Sequence, residues 1–267
     1  LVSICRTTMF ALALLLATTF HISFADQVIV AGDSWGAEGH SYLQDVLSQH
    51  DNTKDLKVKS YAVGGTTTAD WIKPPTKLVD DINKNSDAQY LWLTIGGNDA
   101  ADYLPSCTEK HPYPDLSCIN YILNVMINNT KIMLDPVFQQ HPKMQVVQFG
   151  YDILNLQEGI CSTVGRNLIH GCDDEPSCIN PQFIKIQNVY IAAMKQRYGA
   201  NYHNISLLGT LQMDDPKKRF PNVTVGNPDL NAWSPSDLIQ ENCIHPTRPE
   251  GFMDIFNAMY GAYWANV

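Results

Sequence analysis

Short apolar runs recur along the chain, separated by longer stretches in which apolar residues return every three or four positions. The runs at 27–31, 56–63, 89–95, 144–149 and 202–208 are rich in Val, Ile, Leu and aromatic residues, and several carry little polar interruption. Runs of this length without strict alternation suit strands buried on both faces. The stretches at 41–50, 76–85, 119–140, 183–198 and 252–264 carry helical periodicity. Strands alternating with helices predict a mostly parallel sheet with helices on both faces. The expected fold is α/β: a flavodoxin-like, three-layer α/β/α sandwich around a five-stranded parallel sheet. Three stretches, 100–117, 150–179 and 209–244, break the alternation, and each begins just after a strand candidate. Loops that follow strand ends in such sheets border the ligand crevice, and long ones are commonly functional.

The first 25 residues read differently. A single Arg6 precedes an apolar run from Met9 to Phe20, and Ser23-Phe24-Ala25 supplies small residues at the positions of a cleavage site. This pattern predicts a signal peptide over 1–25, too short to span a bilayer. One domain is expected over 26–267. No second apolar run of that length follows, so no transmembrane segment is expected in the mature chain. A formal charge of −9 argues against a nucleic-acid partner.

Six cysteines follow the leader: Cys107, Cys118, Cys161, Cys172, Cys178 and Cys243. An even number behind a signal peptide predicts three disulfides, with 15 ways to connect them. Cys107 with Cys118 is the expected short-range pair. Cys243 is left with Cys161, Cys172 or Cys178 as partner. All six lie in or beside the three long loops, so the bridges are expected to brace the crevice rim. Three N-x-S/T sequons, at Asn128, Asn204 and Asn222, agree with a secretory route. The expected location is therefore outside the cell or in the lumen of the secretory pathway or lysosome, as a monomeric glycoprotein.

Candidate chemistry sits at the strand ends. The first strand runs into Gly32-Asp33-Ser34-Trp35-Gly36, the second into Gly64-Gly65, the third into Gly96-Gly97-Asn98-Asp99, and His245 stands before Pro246 ahead of the last helix. Gly32-x-Ser34-x-Gly36 also matches a G-x-S-x-G elbow, but that elbow follows several strands and this serine follows the first. The four blocks in this order resemble those of the SGNH hydrolases, the GDSL esterase/lipase family. The resemblance implies Ser34 as nucleophile and His245 as general base. It implies an oxyanion hole made by the N–H groups of Ser34 and Gly65 and the side-chain amide of Asn98. The family pattern has Asp three residues before the His, where this chain has Asn242. An Asn can fix an imidazole tautomer but carries no charge. Three readings stay open: Asn242 or a backbone carbonyl orients His245, a nearby carboxylate (Glu241 or Asp237) replaces the Asp, or the site is inactive.

The other histidines show no zinc spacing, and Asp173-Asp174-Glu175 lacks the alternation of a calcium loop. No metal and no cofactor are assigned. Trp35, Trp71 and Trp233 are candidates to line an apolar or sugar-binding crevice. The resemblance implies a secreted carboxylesterase or lipase using an acyl-enzyme on Ser34. Its substrate would be a small-molecule, lipid or acylated-glycan ester. The alternatives are a carbohydrate O-acetylesterase and a secreted, non-catalytic binding protein with a degenerate triad.

Overall fold

The computed structural model describes residues 27–85, 87–149, 151–156, 168–173 and 175–267. The leader expected over 1–25 and Cys161 lie outside the described residues. In chain order the strands are β1 (Gln27–Gly32), β2 (Lys57–Ser60), β3 (Ala88–Thr94), β4 (Gln145–Phe149) and β5 (Tyr202–Ile205). The helices are α1 (Ser34–Ser48), α2 (Thr68–Trp71), α3 (Lys77–Asn83), α4 (Gly97–Thr108), α5 (Ser117–Gln140), α6 (Pro176–Tyr198), α7 (Thr210–Met213) and α8 (Glu250–Ala262). All the strand pairings are parallel, in the order β2-β1-β3-β4-β5. This is the expected flavodoxin-like α/β/α sandwich, and its topological switch point lies between β1 and β3.

The strands bury alternate residues on opposite faces. Val28, Val30, Trp92, Val147 and Phe149 pack with α1 and α8, whereas Ile29, Ala31, Leu91, Leu93 and Val146 pack with α3, α4, α5 and α6. Both faces are therefore apolar, which is why the strands read as nearly continuous runs. Edge strand β2 (KVKS) instead exposes Lys57 and Lys59, a composition that discourages pairing with another chain.

Two stretches expected to be irregular are helical. Residues 97–108 form α4 despite Pro105 and the paired glycines at its start. Helix α6 begins at Pro176, well before residue 183, because Pro176 occupies the first helical position, where a missing N–H costs nothing. Helix α1 likewise starts at Ser34, not at residue 41. Gly36 and Gly39 disguise it, since both weaken helix propensity. Their place is set by packing: a Cβ on Gly39 would lie 2.7 Å from Phe256 of α8, and one on Gly36 would lie 2.9 Å from Ala62.

Cys107 and Cys118 are bonded as expected, joining α4 to the start of α5. Cys172 is bonded to Cys178, which corrects the expectation that either could pair with Cys243. Cys243 is itself disulfide-bonded. Among the sequons, Asn128 and Asn222 are exposed. Asn204 sits within β5 with its side-chain oxygen buried, a poor position for a glycan. Among the described residues, no helix is long and apolar enough to cross a membrane.

Candidate active site

The site begins where β1 ends. Asp33 caps α1: its backbone is extended and its side chain accepts the Trp35 N–H at 3.1 Å. Ser34 is thus the first residue of a 15-residue helix. Its N–H belongs to the turn whose donors have no intrahelical partner, at the end of the helix that favours negative charge.

His245 lies 211 residues away in sequence, yet its Nε2 is 2.6 Å from Ser34 Oγ. The ring is buried, at 6% exposure. Burial lowers its pKa, and Arg248 adds to the lowering, while Glu38 acts in the opposite direction. With Nε2 accepting from the serine, Nδ1 carries the remaining hydrogen, and no hydrogen-bond partner for it occurs among the described residues.

Asn242 does not meet that nitrogen. Its Oδ1 accepts the backbone N–H groups of Ile244 (3.3 Å) and His245 (3.1 Å), and its Nδ2 donates to Gln240 Oε1. This Asx turn orients the backbone that carries His245, which corrects the expectation of an amide bonded to the ring. Of the two substitute carboxylates, Asp237 is engaged 2.7 Å from Lys217 Nζ on the surface. Glu241 is exposed, and neither has a described hydrogen bond to the imidazole.

The other blocks converge on Ser34. A Cβ on Gly64 would lie 3.7 Å from the Ser34 Cβ, so this turn covers the nucleophile. Gly65 next to it has φ +77° and open space beside it, a backbone state glycine adopts without strain. Asn98 at the start of α4 donates one amide hydrogen to Thr66 O at 3.0 Å, and Asn98 and Ser34 line the same cavity. Asp99 accepts from Thr68 N at 2.9 Å and from Thr68 Oγ1, tying α2 to α4 in a structural role.

Sequence reading missed a relay beneath the nucleophile. Gly97 N–H donates to Tyr151 Oη at 3.0 Å, and Tyr151 donates in turn to Asp33. The loops after β1, β3 and β4 are joined in this way. Desolvation raises the Asp33 carboxyl to about 7 and pushes Tyr151 well above its ordinary value. Asp152 and Asp254 are likewise raised to about 6 by burial. A carboxyl with a raised folded pKa holds its proton more tightly when folded, so its contribution is complete below about pH 4 and fades as pH rises through the folded value. The lowered His203 and His245 act oppositely, but the carboxyl shifts are larger. The expected result is a melting temperature several degrees higher at pH 5 than at pH 7.5, by calorimetry. Asp33→Asn, which preserves the cap, should flatten the slope. An equal or higher value at pH 7.5 would refute this account of the buried carboxyls.

A cavity of about 360 Å³ is lined by Ser34 and lies between the sheet and helices α4, α5 and α6. Its walls are largely apolar and include Met126, Phe149, Leu156, Ile184, Leu208 and Trp233. Trp35 lines it too, and its Nε1 donates to Ile244 O at 2.9 Å. Trp71 is a packing residue, buried under Lys77.

No protein-family model and no curated protein sequence matches the chain. Solved structures do. A lipase from a goat rumen metagenome matches with a TM-score of 0.55 at 12% identity, covering 90% of this chain and 98% of its own. An extracellular lipase from Streptomyces rimosus gives 0.51 at 17% identity, covering 88% and 99%. A catalytic mutant of an acetylxylan esterase from Geobacillus stearothermophilus gives 0.52 at 15%, covering 89% and 93%. The chain has the SGNH/GDSL hydrolase fold over most of its length.

Proposed function

We propose that this protein is a serine ester hydrolase that cleaves esters of medium or long acyl chains. The carrying observation is the 2.6 Å contact between Ser34 Oγ and His245 Nε2, with Ser34 lining an apolar cavity. His245 takes the serine proton as Oγ adds to the ester carbonyl. The resulting oxyanion is met by the N–H groups of Ser34 and Gly65 and by the second amide hydrogen of Asn98. The ester C–O bond breaks as His245 returns the proton to the leaving alcohol. Water, deprotonated by His245, then releases the acid and restores Ser34.

The cavity supports the acyl-chain preference. It is at the small end of ligand pockets, and each methylene removed from water contributes about 0.8 kcal/mol. Acetylxylan esterases among the similar structures favour a second reading, a carbohydrate O-acetylesterase. A p-nitrophenyl ester series from acetate to decanoate decides between them. Rising kcat/KM to about eight carbons, with Ile184→Trp removing the gain for long chains and sparing acetate, is the expected result. Preference for acetate and release of acetate from acetylated glycans would instead establish the second reading. The disulfides in the described residues and the leader-like N-terminus support a place in the secretory pathway.

A further inference from the structure

The chain has Asn242 three residues before His245, where the family has Asp. Of the replacement carboxylates read from sequence, Asp237 is paired with Lys217 and Glu241 is exposed. From α1, a different acid reaches the turn that carries the base. Glu38 lies four residues after Ser34 on the same helix, hence one turn along the same face. Its Oε2 accepts from Gln240 Nε2 at 3.2 Å and from Arg248 Nη2 at 2.5 Å. These residues flank His245 on both sides. Gln240 N–H donates to His245 O at 2.8 Å, Gln240 Nε2 also donates to Pro246 O at 2.7 Å, and Ile239 and Pro246 form an antiparallel bridge. Glu38 therefore grips the turn that carries the imidazole at two points.

We propose that Glu38 is the positioning carboxylate of this site, holding the His245 turn against α1 and supplying the negative charge that favours the imidazolium. The inference rests on the hydrolase reading above. Glu38 is less than a quarter exposed. Burial works to raise its pKa, but the Arg248 hydrogen bond and the nearby positive charge outweigh it and hold the carboxyl below its ordinary value. The groups acting electrostatically on the ring are Glu38 from α1 and Arg248 from the ring's own loop. Asp33 and Tyr151, on the other side of Ser34, are bonded to each other. Glu241 on the loop and Glu250 at the start of α8 are exposed. Arg248 opposes Glu38 at the ring while holding it in place, which gives the two residues opposite electrostatic signs and a shared mechanical role.

That difference is the test. His245 is titrated by NMR in protein carrying ¹³C-labelled histidine, its resonance assigned by loss in His245→Gln, and the pH profile of kcat/KM is recorded in parallel. Glu38→Gln is expected to lower the His245 pKa by about half a pH unit or more and the plateau kcat/KM roughly tenfold. Glu38→Asp should recover part of both, and Arg248→Gln should raise the pKa. An unmoved titration in Glu38→Gln, or shifts of the same sign in Glu38→Gln and Arg248→Gln, overturns the proposal and leaves a loop clamp alone. The Arg248 variant decides the matter if Glu38→Gln does not fold. Failure of the hydrolase reading looks different: the wild-type protein neither turns over esters nor labels with a fluorophosphonate, whereas the NMR titration still judges the charge of Glu38.

Discussion

Ser34→Ala is expected to lower kcat/KM by about 10⁴-fold or more and to abolish labelling by a fluorophosphonate, while the protein still folds. The activity loss follows from removing the only atom that forms the proposed acyl-enzyme. In serine hydrolases the remaining oxyanion donors and binding contacts sustain only residual catalysis. The fold should survive because Ser34 occupies the first position of α1, where alanine is tolerated and the Asp33 cap on Trp35 N–H is untouched. The melting temperature should stay within a few degrees of wild type. Persistence of labelling in the variant would move the nucleophile elsewhere. A collapse in stability would mean that Ser34 holds the strand end together and is no separable chemical group.

Gly32→Ala is expected to do the converse, costing more than about 4 kcal/mol of stability and most of the soluble yield. Gly32 has φ +120°, and a Cβ there would sit 1.6 Å from the carbonyl oxygen of Thr94. That oxygen is not free to move. It accepts the Asp33 N–H at 2.8 Å, and Thr94 is the β3 partner of Gly32 in the sheet. Thr94 Oγ1 also accepts the Gly36 N–H at 3.1 Å. Relieving the clash means parting β1 from β3 at the switch point, where the nucleophile and the Asn98 loop both start. Gly199→Ala is the control: φ is +60°, but no neighbour lies within 4 Å of the added Cβ. Its cost should be about 1–3 kcal/mol, the strain of its φ +60°, ψ −132° backbone alone. Equal losses in thermal or denaturant unfolding would assign the whole effect to backbone conformation and none to contact.

The strands were legible because burial on both faces leaves a local trace, a run of apolar letters, as in Val28-Ile29-Val30 and Leu91-Trp92-Leu93. Ser34, Asn98 and His245 were legible because each stands at the end of such a run or before a helix. Helix starts were not. The glycines of α1 and the prolines of α6 obscure periodicity, and their placement is decided by contacts such as Gly39 against Phe256. Reading α1 from residue 41 hid Glu38, whose four-residue spacing from Ser34 means something only once the helix includes both. The role of Asn242 was legible in type but not in direction, since an Asx turn and a bond to the ring use the same amide. Asp33 and Tyr151 left no signal at all, their pairing spanning 118 residues. The cavity was equally hidden, its walls coming from segments far apart in the chain.

The distance in sequence between Ser34 and His245 also bears on how the protein is made. Ser34 is synthesised first, after a strand that lies second from the edge of the future sheet. The base arrives 211 residues later, followed by α8, whose Phe256 packs against Gly39 beneath the nucleophile's helix. Every nascent or truncated chain ending before His245 thus bears a serine without its base. On the proposed reading, hydrolysis switches on only when synthesis has passed the last helix and that helix has docked. Ester turnover would then report that α8 has docked against α1.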